Sequence, residues 1–564
     1  MADPVEQSPL RQRVDQRLLS LETRRLSWWN HWRELAEYIF PRRYKWLIAA
    51  NELNRGTPLN GRIIDNTGTV AARILSAGMM AGITSPARPW FKLRIEGVDQ
   101  DESNPINIWL AECERRMQRV MQESNFYNSM AVLFADLAVF GTGTMLIYED
   151  YDDVIRCYNP CAGEYYLENG PRLAVNVFYR KFTYTVSQIV ERWGLENCSD
   201  TVKTLYSQAN NVGLQTEIII GHALEPNEPA YPEVPASFKY RECYWEWGTI
   251  QNQKTSGGPN FLECKGFHEI PGIFPRWDIV GNDAYGRGPA MDALGDIKQL
   301  QQETRRKAQA LDKLVNPPLL ADVQLKNQPM SLLPGGVNYV SGLNKTEGMR
   351  PIYQVMPPIR EIMEDILQVQ RRIQNTFYND LFMMFQQMQA EPRSAAAVDA
   401  RREEKLVMLG PVLERFENEG LDPAIDRIFN IMVRSNLLPP PPPEIQKAPI
   451  QVVYVSMLAE AQRAVATAGI ERTFAFAGNL AAVAPDIMDN LDADEAIKIY
   501  GDQMQIDPRI LRNEERIAQI RQQRLDQQQK IQQLETTMAA VKGAKTLSDT
   551  EVGGGRNALE AMLQ

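Results

Sequence analysis

Two stretches of the chain repeat apolar residues at steps of three and four over many turns, and this repeat constrains the fold more than any other feature. Leu294, Ile297, Gln301, Thr304, Ala308, Leu311 and Val315 predict a helix of about thirty residues that ends before Pro317 and Pro318. Its other face carries Gln299, Gln302, Arg306, Gln309 and Lys313 in the same rhythm. One narrow apolar stripe opposite a basic, amide-rich one suits a bundle or ring of parallel neighbours, because a globular helix usually buries a wider arc. After a strand-and-turn insert that holds LLPGGVNYV and Pro357-Pro358, a second helix follows. Its stripe is Ile359, Ile362, Ile366, Val369, Ile373, Phe377 and Leu381, while Gln368, Arg372, Asn375 and Asn379 lie elsewhere on its surface. Two long helices that bracket a small β insert describe a stalk with a tip.

The rest of the chain must supply what the stalk stands on. With 564 residues, 44% of them hydrophobic and 23% charged, it can bury a large core, predicts about three or four compact units and excludes global disorder. No apolar run reaches the roughly 18 to 20 residues needed to cross a bilayer, since Leu137 to Tyr148 is short and is broken by Gly141 and Gly143. The opening MADPVEQSPLRQRVDQ lacks the charged-then-apolar order of a secretory signal. A soluble protein made and kept in a reducing compartment is expected. Six cysteines without a CxxC and three well-separated histidines, His31, His222 and His268, argue against a zinc site or a disulfide framework. A formal charge of -10 disfavours non-specific wrapping around a polyanion, yet leaves room for nucleic acid in a locally arranged channel.

Leu18, Leu21, Leu26, Trp29, Trp32, Leu35 and Ile39 predict an amphipathic first helix that stops at Pro41. A small-residue helix capped by Asn66 or Thr67 should stop before Pro86, and its Ala and Gly content permits close helix contact. A helix over 106–125 leads to a buried helix that gives way to a strand at Met145 to Tyr148. From there to about Phe274 the chain reads as mostly antiparallel β structure with long loops. Beyond the stalk, Met383 to Arg393 reads as a flexible loop, and Ser394 as the N-cap of the next helix. The helical pattern resumes after Gly410-Pro411 and restarts at Asp422-Pro423, an N-cap with Pro at the first helical position. Pro439 to Pro443 form a stiff spacer. A last long helix starts at Asp507-Pro508. It has Ile517, Ile520, Ile531, Leu534, Met538 and Val541 at heptad-like positions, interrupted by Arg524 and Gln527. Gly553 to Gly555 open a loose tail.

Catalytic signatures are scarce. The phosphate loop GxxxxGK[ST], the GxSxG elbow and the HExxH zinc helix are all missing. GTG at Gly141 to Gly143 and GRG at Gly286 to Gly288 lack the third glycine of a dinucleotide site and are read as tight backbone packing. Glu149, Asp150, Asp152 and Asp153 lack the Gly and distal Glu of a calcium loop and are read as a solvated turn. Two sequons, at Asn197 and Asn344, are chance matches without secretion. The basic stripe with Arg306 and Lys313 has two readings. It is either a solvated face with local pairs such as Glu303 with Lys307, or a polar wall whose sparse cations touch phosphates transiently without reading bases.

Several segments together resemble the portal, or head-to-tail connector, family of short-tailed bacteriophages (podoviruses). They are WWNHWRELAEYIFPRR from Trp28, DNTGTVAARILSAGMMAGITSPARPWFKL from Asp65, LAVFGTGTML from Leu137 and YGRGPAMDALGDIKQL from Tyr285. NPPLL from Asn316, LLPGG from Leu332 and SAAAVDARREEKLVMLGPVLERFENEGLDPAIDRIF from Ser394 continue the series. Their collinear order from about residue 20 to 445 carries the resemblance.

The resemblance implies an α+β, predominantly α, viral portal fold. Residues 1–284 would form the wing, 285–315 and 359–382 the two stem helices, 316–358 a small β-containing clip and 383–393 a tunnel loop. Residues 394–450 would add long wing helices and the Pro-rich spacer, 451–543 a helical C-terminal crown, and 544–564 a flexible tail. It further implies a homo-oligomeric ring, typically a dodecamer, at one vertex of the capsid in the virion, assembled in the host cytoplasm. Double-stranded DNA would pass through the ring without sequence-specific contacts. Its partners would be major capsid and scaffold proteins, the terminase during packaging and a tail adaptor afterwards. It implies no enzyme activity, no cofactor, no metal and no membrane span. Gln302, Arg306, Lys313, Arg371 and Arg372 would line the channel from the stem, and Gln386, Gln387, Gln389 and Arg393 from the tunnel loop. The net acidity and the Gln-rich last helix favour an alternative, a coiled-coil scaffold or tail adaptor that passes no DNA. A nucleotide-driven motor or nuclease is a more distant reading, for want of its motifs.

Overall fold

The computed structural model describes residues 8–44, 59–95, 105–208, 211–248, 254–255, 258–315, 319–321, 349–351, 358–382, 409–443, 450–454, 473–480, 491–493, 496–497 and 514–548. The chain divides into two compact units rather than the three or four that length predicts. One takes in Met1–Phe91, Cys113–Pro439 and Ser456–Leu458, and the other Lys92–Glu112, Pro440–Val455 and Ala459–Gln564. The count falls because the N-terminal helices, the β region and the paired long helices share contacts within the first unit instead of forming separate bodies.

In that unit, α1 (Pro9–Tyr38) starts on Ser8, whose side chain accepts the Arg11 N–H, with Pro at the first helical turn. It lies along a five-stranded antiparallel sheet of β4 (Tyr165–Asn169), β5 (Val175–Thr185), β6 (Glu217–Pro226), β7 (Tyr240–Glu246) and β10 (Glu263–Phe267), in the order β10-β7-β6-β5-β4. Leu10, Val14, Leu18 and Leu21 pack on Tyr179, Ala223, Cys243 and Trp245. Each fully buried side chain of this size adds about 1.5–3 kcal/mol. Leu26, expected on the buried stripe, is exposed, and Arg25 is buried there in its place. The Arg25 guanidinium stacks 3.9 Å from the Tyr166 ring and donates from one nitrogen to the carbonyls of Gly163 and Tyr165, which offset part of the cost of burying it.

Two helices inside the expected β region cover the other sheet face: α5 (Val186–Trp193) and α6 (Asp200–Ser207), followed by the short turn α7 (Asn211–Leu214). Thr185 and Gln188 form a reciprocal capping box on α5, a readable sequence signal that the aromatic and β-branched surroundings mask. Beneath them Arg180 donates to Nδ1 of the buried His222, which places the ring proton on Nε2, and Nε2 donates to Glu242 at 2.8 Å. Burial outweighs the Glu242 contact and pushes His222 down to about 4. A three-stranded antiparallel sheet of β2 (Met145–Asp150), β3 (Val154–Tyr158) and β11 (Gly272–Ile273) sits in the same unit, and the two-residue strands β8 (Lys254–Thr255) and β9 (Gly258–Pro259) pair with each other.

Helix α2 (Thr67–Ile83) is capped by neither Asn66 nor Thr67: Asp65 Oδ1 accepts both the N–H and the hydroxyl of Thr67. Its small residues allow the expected close contact, since a Cβ on Gly78 would stand 2.2 Å from the Phe382 ring. Helix α4 (Phe126–Phe140) ends on Gly141 in the left-handed region at φ 70°, and β2 follows. Helix α10 (Asp422–Arg434) does not restart at an Asp422 cap. Asp422 is itself helical, and a π turn over Glu417–Leu421 links α10 to the helix of residues 409–416. The wider turn carries the chain past Pro423, which has no N–H to offer the residue four back.

The second unit holds a two-stranded pairing of β1 (Phe91–Ile95) with β14 (Ile450–Tyr454), the start of α3 (Pro105–Glu123), and α11 (Glu514–Ser548). Helix α11 continues past residue 543, where the tail was expected to begin, and Ile531, Leu534, Met538 and Val541 of its heptad stripe are exposed. The observed class is α+β, mainly α. The expected tunnel loop with Gln386, Gln387, Gln389 and Arg393, the expected Ser394 cap and Asp507-Pro508 helix start, and most of the expected clip lie outside the described residues.

Candidate functional site

The paired helices are α8 (Pro289–Val315) and α9 (Ile359–Thr376). They run antiparallel: Arg372 near the end of α9 reaches Asp296 near the start of α8, while β12 (Leu319–Ala321) and β13 (Met349–Pro351) pair antiparallel just beyond their other ends. On α9 Ile366, Val369 and Ile373 are buried as read, but the helix ends at Thr376 rather than at 382: the chain breaks at Tyr378 (φ 55°), so Phe377 and Leu381 are buried beyond its end, and Asn379, expected on the surface, is buried with them.

A crossing of glycines fixes where α8 begins. A Cβ on Gly286 would lie 2.3 Å from the Gly141 carbonyl oxygen, and one on Gly141 would lie 2.4 Å from that of Gly286. Only two backbones without side chains can touch in this way. Gly286 N–H donates to the Thr142 hydroxyl and Trp277 N–H to the Gly141 carbonyl, so the GTG and GRG motifs lock together as tight packing. Beside them Arg276, 1% exposed, donates to both Glu419 carboxylate oxygens, to Asn169 and to the carbonyls of Asp283 and Leu173. Glu419 belongs to the π turn, so one guanidinium ties that turn to the base of α8.

Gln301 occupies a seam position that the period assigns to an apolar residue. It is buried, accepts from the backbone N–H groups of Ile64 and Asp65, and donates to the Asp65 carbonyl at 2.8 Å. Gln370 of α9 donates to the Asp65 carboxylate, whose other oxygen caps α2. Asp65 thus gathers three helices at the point where the pair leaves the packed body. Sequence reasoning missed this role; the signal was an amide breaking an otherwise apolar stripe.

Beyond Gln301 the surroundings change. Gln302, Arg306, Gln309 and Lys313 are exposed on one face of α8, with Arg306 and Lys313 two turns, about 10 Å, apart. Residues 302–315 carry four cations, Arg305, Arg306, Lys307 and Lys313, against two carboxylates, Glu303 and Asp312. Arg371 is exposed as well. Arg372 differs: it bonds to Asp296 at 3.1 Å, a contact that also holds its protonation above the ordinary value. Its charge is thus already partnered within the chain. The continuing stripe is bare, with Leu311 42% and Val315 76% exposed.

The acidic group Glu149 to Asp153 forms the β2–β3 turn. Asp150 accepts the N–H groups of Asp152 and Asp153, and Glu149 pairs with Arg434 at 2.8 Å. Among the described residues no cluster of three metal-ligating side chains occurs, and no helix is long and apolar enough to cross a membrane.

The antiparallel helix pair thus carries, on its far half, an exposed apolar stripe beside a cationic one, a surface suited to packing against further chains. The family model for the bacteriophage head-to-tail connecting protein matches residues 11–511, and the chain belongs to that family. It is 40% identical over 544 residues to the portal protein of Salmonella phage epsilon15, covering 96% of each chain. It is likewise 40% identical over 536 residues to the probable portal protein of Bordetella phage BPP-1, covering 94% of each. The scaffold or tail-adaptor alternative gives way to these matches, which run through nearly the whole length.

Proposed function

We propose that this chain is the subunit of a portal: a ring at one vertex of the capsid in the virion, through which double-stranded DNA is packaged and ejected, and on which tail proteins dock. The observation that carries this reading is the near-complete alignment with two portal proteins. It has no enzymatic role. The ring is a dodecamer, assembled in the host cytoplasm with the major capsid and scaffold proteins. Its clip, residues 316–358, meets the terminase and later a tail adaptor. Residues 1–284 and 394–450 make the wing, α8 and α9 the stem, 383–393 the tunnel loop, 451–543 the crown and the last residues a tail.

Within the channel, Gln302, Arg306, Lys313 and Arg371 supply weak contacts from the stem, and Gln386, Gln387, Gln389 and Arg393 from the tunnel loop. Arg372 adds less net charge than these residues, because Asp296 pairs with it. Ring symmetry multiplies each residue into a circle of contacts, so individual cations can stay sparse and DNA can slide. Capsids assembled from coat protein, scaffold and this chain should take up DNA when given terminase and ATP. Equal uptake by capsids lacking the chain overturns the reading.

A further inference from the structure

Cys243 of β7 and Cys264 of β10 are directly opposite each other in the antiparallel ladder, and both side chains turn to the face that α1 covers. Their sulfurs lie 2.7 Å apart. Opposed residues of an antiparallel pair have Cα atoms about 4.5–5.5 Å apart, inside the 4.4–6.8 Å range that a disulfide spans. Cys243 is 1% exposed and Cys264 is half-buried on the outermost strand of the five-stranded sheet, so an oxidant meets Cys264 first.

We propose that Cys243 and Cys264 are a dithiol pair that closes to a cross-strand disulfide when the protein passes from reducing to oxidising surroundings, fastening edge strand β10 to β7. The oxidant is a small-molecule disulfide. Cys264 thiolate attacks one of its sulfurs and expels one thiol, leaving a mixed disulfide. Cys243 then loses its proton, attacks the Cys264 sulfur and expels the second thiol. Two protein thiols have given up two electrons and two protons, and one small disulfide has become two thiols. Burial, then the neighbouring Cys243 and Glu233, push the Cys264 thiol up against the opposing pull of Arg241, so the reaction is slow, on the order of minutes to hours. The inference stands independently of the portal reading.

Full-length protein is reduced with dithiothreitol, transferred to oxidised glutathione at neutral pH, unfolded in the presence of iodoacetamide and mapped by mass spectrometry. Two of the six thiols should escape alkylation, and a peptide joining Cys243 to Cys264 should appear and vanish on reduction. Cys264→Ser should show no cross-link from Cys243 to any other cysteine. Alkylation of all six thiols overturns the proposal. So does a glutathione adduct on Cys264 that never resolves, or a link from either residue to a different cysteine.

Discussion

Helix α8 carries one apolar stripe from end to end, yet its two halves meet different surroundings. From Pro289 to Gln301 the stripe is buried by other helices of the same unit, its start pinned by the Gly141–Gly286 crossing and its end by the Gln301 amide. From Gln302 to Val315 the same period continues, and among the described residues it is left largely uncovered, with Leu311 and Val315 exposed. Periodicity states that a face will be buried but not by what: the first half folds the chain, whereas the second is, in the proposed reading, the face that neighbouring subunits cover.

Substitutions at the two halves should therefore fail in different ways. Gly286→Ala should do the most damage, because a methyl group 2.3 Å from a backbone oxygen cannot be relieved by a side-chain shift. A loss of about 4 kcal/mol or more is expected, measured by denaturant unfolding. Arg276→Met leaves Glu419 and two carbonyls without their donor and should cost about 3 kcal/mol, again without any need for assembly to reveal it. Gln301→Leu restores the apolar period but orphans the N–H groups of Ile64 and Asp65. It should destabilise by about 2 kcal/mol, and a neutral result would mean that the seam does not need the amide.

The exposed half should behave oppositely. Leu311→Ser with Val315→Ser should leave the single chain's stability within about 0.5 kcal/mol of the parent while lowering the fraction that assembles, read by sedimentation. Unimpaired assembly would break the comparison, since the bare stripe would then have no partner. Arg306→Gln with Lys313→Gln should touch structure least: assembly stays intact, while DNA retention in filled capsids weakens and becomes less salt-sensitive. Unchanged packaging and retention would leave the cationic face as merely solvated.

The legible part of the fold was whatever repeats locally. The stripes of α1, α8 and α9, the α4-to-β2 switch, and the GTG and GRG glycines as packing devices all follow from period or backbone sterics. What escaped was set by partners far along the chain. Arg276 meets Glu419 across 143 positions, and nothing near either residue announces it. Asp65 displaces Asn66 as the cap because α8 and α9 hold it through Gln301 and Gln370. Of the proposed channel residues, the exposure of Gln302, Arg306, Lys313 and Arg371 follows from their position on the helix, whereas the pairing of Arg372 with Asp296 depends on the relative placement of two helices.

The claim that the bare half of the stem is completed by copies of the same chain is tested most directly by negative-stain electron microscopy of the purified protein together with its mass from light scattering. The account predicts rings of about a dozen subunits around a central hole wide enough for duplex DNA. Persistence of monomers or rods, even with scaffold and coat proteins present, would contradict it.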